Sequence, residues 1–343
     1  MEEILMYPLK FEPLFKDYLW GGRNLDRFGK KLPDNQIAAE SWEVSCHPAG
    51  PSVIANGAFA GMSLADLIKC YPTEILGSAV LLKYGTKFPL LVKLIDANQQ
   101  LSVQVHPDDA YALAHEDDFG KHEIWYILAA KPGAQIIYGM VPGTTKTEFA
   151  RCLERGEVES CLNYQPVTAG DVIDIPPGTV HALGAGLILA EIQQNSNATY
   201  RVFDYNRVDA TGKPRPLHIQ KALEVIDFSD ATLPRQFSNQ PLLNESPTTA
   251  QTTLTQNFHF RVDWAQITGE IRERSGGDRF YIYTVLSGAG SLIWAGEQIG
   301  IKQGDSLLIP ATLGEYRLKG PITVLKSYAT SKMKIIGVGI GIL

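Results

Sequence analysis

A repeat constrains this chain more than any other feature. Gly170-Asp-Val-Ile-Asp-Ile-Pro176 recurs as Gly304-Asp-Ser-Leu-Leu-Ile-Pro310. The likeness extends upstream, where Glu123-Ile-Trp-Tyr-Ile-Leu-Ala-Ala130 and then Gly133 share an apolar pattern with Phe280-Tyr-Ile-Tyr-Thr-Val-Leu-Ser-Gly288. A turn, a short β-rich run and a proline used twice mean two copies of one β unit. Short runs rich in strand formers, separated by Gly and Pro, also occupy 88–95, 101–105, 124–129, 135–138, 171–175 and 187–192. Such punctuation predicts a mainly β protein built of sandwiches or barrels.

Three short helices interrupt the strands. Ser63 is placed to cap the first, with Asp66 answering it; the second spans 147–162, and the third spans 219–228 with apolar residues at helical spacing. A polar, proline-containing stretch follows and marks the domain boundary. The expected division is 1–228, a linker at 229–250, and 251–343. The apolar tail at 335–343 is shorter than the ~18 residues of a membrane span and reads as a closing strand.

A length of 343 residues suffices for two domains with their own cores. A formal net charge of -6 excludes an extended nucleic-acid surface, whereas a small anionic substrate needs only a few local bases. Cys46, Cys70, Cys152 and Cys161 form no Cys-x-x-Cys pair, and no secretory segment opens the chain, so reduced thiols in a cytoplasmic protein are expected.

The two copies differ in histidine. Beyond Pro176 stands His181, but beyond Pro310 the stretch 311–316 has no histidine, and no His-x-His precedes that copy. One copy should therefore hold a metal and the other should not. In Ser102-Val-Gln-Val-His-Pro107, strand alternation puts Gln104 and His106 on one face. By the same parity Lys121 and Glu123 share a face while His122 turns away. Gln104, His106, Glu123 and His181 would converge on one barrel interior, a donor set suited to a catalytic zinc. His115, His122, His218 and His259 are expected to make ordinary hydrogen bonds.

Gly-Asp, strand, Pro and a short step to His resemble the second motif of a cupin, a small double-sheet jelly roll. The series Ser102-Val-Gln-Val-His-Pro-Asp-Asp109, Gly120-Lys-His-Glu123, Gly178-Thr-Val-His-Ala182 and Ala198-Thr-Tyr-Arg-Val-Phe-Asp204 resembles the motifs of type I mannose-6-phosphate isomerases. Tyr18-Leu-Trp-Gly-Gly22, Ala39-Glu-Ser-Trp-Glu43 and His47-Pro48 resemble that family's N-terminal signatures. The resemblance implies two cupin domains with short helical insertions and one Zn2+ per chain, held by Gln104, His106, Glu123 and His181. It also implies a sugar phosphate substrate and interconversion of mannose 6-phosphate and fructose 6-phosphate through an enediol. Arg201 and Lys121 would meet the enediolate or the phosphate. Glu191, ten residues before Arg201, is the first choice of base, ahead of a metal-bound water or a histidine. His122 stands where longer eukaryotic forms have proline, and there is no room for their helical insertion, so the chain resembles the short bacterial form. Cupins with two histidines and a carboxylate also hold iron and activate oxygen, and others only bind sugars; the pairing of Lys121 with Arg201 favours a phosphorylated substrate and chemistry upon it.

Overall fold

The computed structural model describes residues 5–208, 211–229, 244–246 and 248–331. The tail at 335–343 lies outside them, as does most of the expected linker.

The first copy is a jelly roll of two antiparallel sheets. One has six strands in the order Leu14–Lys16, Glu40–Val44, Leu90–Ala97, Leu187–Gln194, Glu123–Ala130 and Val172–Ile175. The other has five, in the order Tyr200–Phe203, Val103–Val105, His181–Leu183, Gln135–Met140 and Leu162–Pro166. Strand alternation sorts their residues into three apolar layers. Ile95, Trp125, Ile127 and Leu189 meet Ile136, Tyr138 and Leu183 between the sheets. Val103, Val105, Ala182 and Val202 point the opposite way and are covered by Phe149, Ala222 and Ile226. On the outer face of the six-stranded sheet, Leu90, Val92, Leu94, Ile124 and Ile192 pack against Phe260, Phe280, Ile282 and Leu325 of the second copy.

The second copy forms a ten-stranded sheet system that also takes in Leu9–Lys10, which pairs with Ser306–Ile309. The start of the chain is thus hydrogen-bonded into the second unit, and Lys10 adds an ion pair to Asp305 at 2.8 Å. Gly304 explains how closely the two units meet. Its φ is +85°, and a Cβ there would lie 2.2 Å from the Phe28 carbonyl oxygen. Only glycine fits both the left-handed turn and the backbone approach.

The two Gly-Asp turns are built alike. Gly170 N–H donates to Ile127 O at 2.8 Å and Ile127 N–H to Asp171 O at 2.9 Å; Gly304 donates to Val285 and Val285 to Asp305, both at 2.9 Å. This equates Ile127 with Val285, and hence Glu123 with Tyr281, one residue on from the Phe280 that the sequence pattern sets against it. A strand buried on both faces lacks the polar alternation that fixes register.

The first helix is Leu64–Cys70, capped by Ser63 Oγ accepting from the Asp66 N–H. The second ends earlier than expected: Lys146–Arg155 stops at Gly156, which takes the left-handed conformation, and a separate 3-10 turn covers Val158–Cys161. The third, Ile219–Val225, stops short of Phe228. Helices Pro72–Leu76, Ser78–Tyr84 and Asp109–His115 were not anticipated. Among the described residues, no helix is long and apolar enough to cross a membrane.

Candidate metal centre and substrate cavity

Three strands and one turn build the centre. Gln104 lies opposite both His181 and Arg201 in adjacent strands of the five-stranded sheet. Glu123 begins a strand of the facing sheet, and His106 follows the strand that carries Gln104. The ligand atoms of His106, Glu123 and His181 all lie within 4.8 Å of one another and are buried.

Hydrogen bonds fix the tautomers. His106 Nδ1 lies 2.9 Å from Ala198 O, and His181 Nδ1 lies 2.8 Å from Thr179 O. A carbonyl only accepts, so each Nδ1 carries the proton and each Nε2 offers a lone pair toward Glu123. Gln104 Nε2 is 3.4 Å from His181 Nε2; turning the amide over would present its oxygen instead.

The Glu123 carboxylate shows what the cluster lacks. Both oxygens are buried and accept no hydrogen bond of good geometry. Lys121 Nζ is 2.9 Å from Oε2, a close charge contact without hydrogen-bond alignment, and the unprotonated His181 Nε2 is 3.3 Å from Oε1. Burial by itself pushes the carboxyl up, but the neighbouring groups, the Lys121 ammonium foremost, outweigh it and hold Glu123 well below the usual carboxylate range. Burial, followed by the Lys121 ammonium, depresses His106 well below its ordinary value and keeps its ring neutral. A buried anion with unsatisfied oxygens between two imidazole lone pairs fits a divalent cation.

A cavity of about 260 Å³ borders the cluster. Gln104 and Lys121 line it, with Arg201, Glu191, Lys93, Glu40, Tyr18, Trp20, Trp125, Ser102 and Arg215. Arg201 Nε donates to Ser102 Oγ at 3.2 Å, and Nη1 to Pro216 O at 2.9 Å. Among the described residues no carboxylate lies within ion-pair distance of Arg201. Burial and then Arg215 lower its pKa, so the guanidinium is a partly desolvated cation without an anion. Arg215, by contrast, is bound to Asp204 at 2.5 Å.

Glu191 is buried, with Oε1 accepting from Lys93 Nζ at 2.8 Å and Oε2 from the Trp125 indole N–H at 2.9 Å. Burial disfavours the Lys93 charge, but Glu191 and Glu40 outweigh it and raise the lysine pKa. His122 turns away, as parity required, and meets Asp174 at 3.1 Å. His218 holds the Arg201 backbone: its Nδ1 accepts from the Arg201 backbone N–H at 3.2 Å, and its own backbone N–H donates to Arg201 O at 2.7 Å.

Sequence reasoning gave no role to Lys93, Glu40 or Arg215. Lys93 did leave a signal, being the one charge in Leu90-Leu-Val-Lys-Leu-Ile95; lysine is seldom fully buried without a partner. Arg215 left none, because it reaches the cavity from an irregular loop.

The match to known proteins covers nearly the whole chain. The family description "Phosphomannose isomerase type I, catalytic domain" matches residues 8–124, and "Mannose-6-phosphate isomerase, cupin domain" matches 250–329. The mannose-6-phosphate isomerase ManA of Bacillus subtilis (strain 168) is 40% identical over 315 residues, 91% of this chain and 96% of that protein. A crystal structure of the mannose 6-phosphate isomerase from Bacillus subtilis superposes with a TM-score of 0.84 at 35% identity, covering 94% of this chain and 99% of that one. A mannose 6-phosphate isomerase bound with zinc and yttrium shares the fold, with a TM-score of 0.72 at 18% identity over 94% of this chain and 99% of that chain. With 40% identity sustained across nine-tenths of its length, this chain belongs to the type I mannose-6-phosphate isomerase family.

Proposed function

We propose that the first cupin interconverts D-mannose 6-phosphate and D-fructose 6-phosphate, with one zinc ion per chain held by Gln104, His106, Glu123 and His181. The observation that carries this is the buried His106, Glu123 and His181 cluster, with its unsatisfied carboxylate, beside a cavity that also presents Arg201, unpaired among the described residues.

The reaction moves a proton from C2 of the open-chain aldose to C1 through an enediol, and negative charge grows on oxygen as the proton departs. Zinc, when bound, supplies Lewis acidity at the O1/O2 edge. Arg201 meets the substrate's negative charge with paired planar donors. Lys121 lies 3.1 Å from His106 Nε2 and sets a second cation beside the cluster. Glu191 receives the proton and returns it, held in place by Lys93 and Trp125. Residues 1–228 form the catalytic unit, with strand Leu9–Lys10 lent to the second unit's sheet; 229–250 form the linker, whose strand Asn244–Ser246 already pairs with the second unit, and 251–343 the second, metal-free cupin, in a cytoplasmic protein.

The test joins metal analysis of the purified protein to a coupled assay for fructose 6-phosphate formation. About one equivalent of zinc with turnover of mannose 6-phosphate is expected. Bound iron with no isomerase turnover would sink the reading, as would activity retained after complete metal removal.

A further inference from the structure

We propose that Cys152 and Cys161 form a dithiol site that a hydroperoxide converts into an intramolecular disulfide. Both are free thiols here, with their sulfurs 2.6 Å apart. Separate backbone hydrogen bonds hold them facing. The left-handed Gly156 ends helix Lys146–Arg155, the Glu157 N–H donates to Cys152 O at 2.8 Å, the Ser160 N–H to Glu157 O at 3.0 Å, and the Val141 N–H to Cys161 O at 2.9 Å. The chain between the two residues is therefore already reversed, and the two sulfurs are already in contact. The other two cysteines lack this arrangement: Cys70 is exposed with no thiol beside it, and burial drives the Cys46 thiol far up.

The two sulfurs take different roles. Cys152 is half-buried and open to a small oxidant, whereas Cys161 is buried. Burial, and then contact with Cys152, pushes the Cys161 thiol up to about 11. Cys152, the more accessible sulfur and the one that accepts the Cys161 S–H, is accordingly the one that attacks. Its sulfur takes the terminal peroxide oxygen, the O–O bond breaks, and water or an alcohol leaves. Cys161 sulfur then attacks the sulfenic Cys152 sulfur, the S–S bond forms, and the hydroxyl departs as water with the Cys161 proton. Two thiols are oxidised and one peroxide is reduced.

The bond would join the end of helix Lys146–Arg155 to the entry of strand Leu162–Pro166, in the layer behind the sheet that carries Gln104 and His181. No residue of that segment lines the substrate cavity, so closure should raise the unfolding midpoint and leave turnover unchanged.

The experiment exposes the full-length zinc-loaded protein to stoichiometric hydrogen peroxide and maps its peptides without reduction. Loss of two thiols, a Cys152–Cys161 linked peptide, and reversal by dithiothreitol are expected. In Cys161→Ser, the sulfenic acid should be trapped at Cys152 by a 1,3-dione reagent. Over-oxidation of Cys152 without a cross-link would overturn the proposal, as would unchanged titration of both thiols or oxidation confined to Cys70.

Discussion

The two cupin copies share a turn but not an interior. Where the first gathers His106, Glu123 and His181 around an unsatisfied carboxylate, the second closes on Tyr283 and Tyr316, whose hydroxyls lie 3.0 Å apart among Leu292, Leu307 and Leu318. The position of Glu123 becomes Tyr281, and that of Trp125, which holds Glu191, becomes Tyr283. Strands Glu270–Ser275 and Gly314–Lys319, paired in the second copy as the Gln104 and His181 strands are in the first, carry no histidine. A jelly roll does not need its ligands in order to fold. Apolar layers do the folding, and the ligand positions can be filled by any residues that satisfy one another.

The largest effect should come from emptying the first interior. His106→Ala or His181→Ala should abolish turnover and bound metal while circular dichroism stays native-like, because the three apolar layers remain. Variants that kept both metal and turnover would erase the distinction between the copies.

Arg201→Ala comes next, with kcat reduced about 10² to 10³ if the guanidinium faces the developing charge. Arg201→Lys should recover part of the loss, since an ammonium lacks the paired planar donors. A rise in KM with kcat nearly unchanged would move Arg201 to the phosphate, a distinction that steady-state kinetics on both variants makes directly.

A third effect lies at the seam. Lys83, of the first copy, donates to Phe258 O at 2.5 Å and to Thr330 O at 3.3 Å in the second, and burial lowers its pKa to about 8 against an ordinary 10.5. Between those values the unfolded chain binds the proton that the folded chain has released, so stability rises with pH across the window. The gain is about 3 kcal/mol at most. Chemical denaturation from pH 8 to 10.5 should show it, and Lys83→Met should flatten it.

Smallest of all should be the catalytic effect of the second interior. Tyr316→Phe removes one hydroxyl and leaves Tyr283 unpartnered at a cost of about 1 to 3 kcal/mol, yet turnover should stay within a factor of about two. A tenfold fall in kcat would give the second copy a part in catalysis.

Much of this comparison was legible before folding. The Gly-Asp-Pro repeat, the parity of Gln104 with His106 and of Lys121 with Glu123, and the missing histidine after Pro310 are local patterns, set by turn chemistry and the two-residue period of a strand. Register between the copies was misread by one residue because Glu123–Ala130 is buried on both faces. The helix expected at 147–162 was cut by Gly156, whose left-handed conformation outweighs the helical spacing around it.

What the sequence determined by itself is part of the inventory: the repeated strands and their turn, which side chains share a face, and which copy has metal donors. Only the tertiary structure decided their company. It set Lys93 between Glu40 and Glu191 across neighbouring strands, delivered Arg215 from a loop, left Arg201 without an anion among the described residues, and sealed the outer face of the six-stranded sheet with the second copy. Local patterns encode the direction of a side chain along its own strand; which charges meet across a sheet depends on pairing between distant segments, which no single segment specifies.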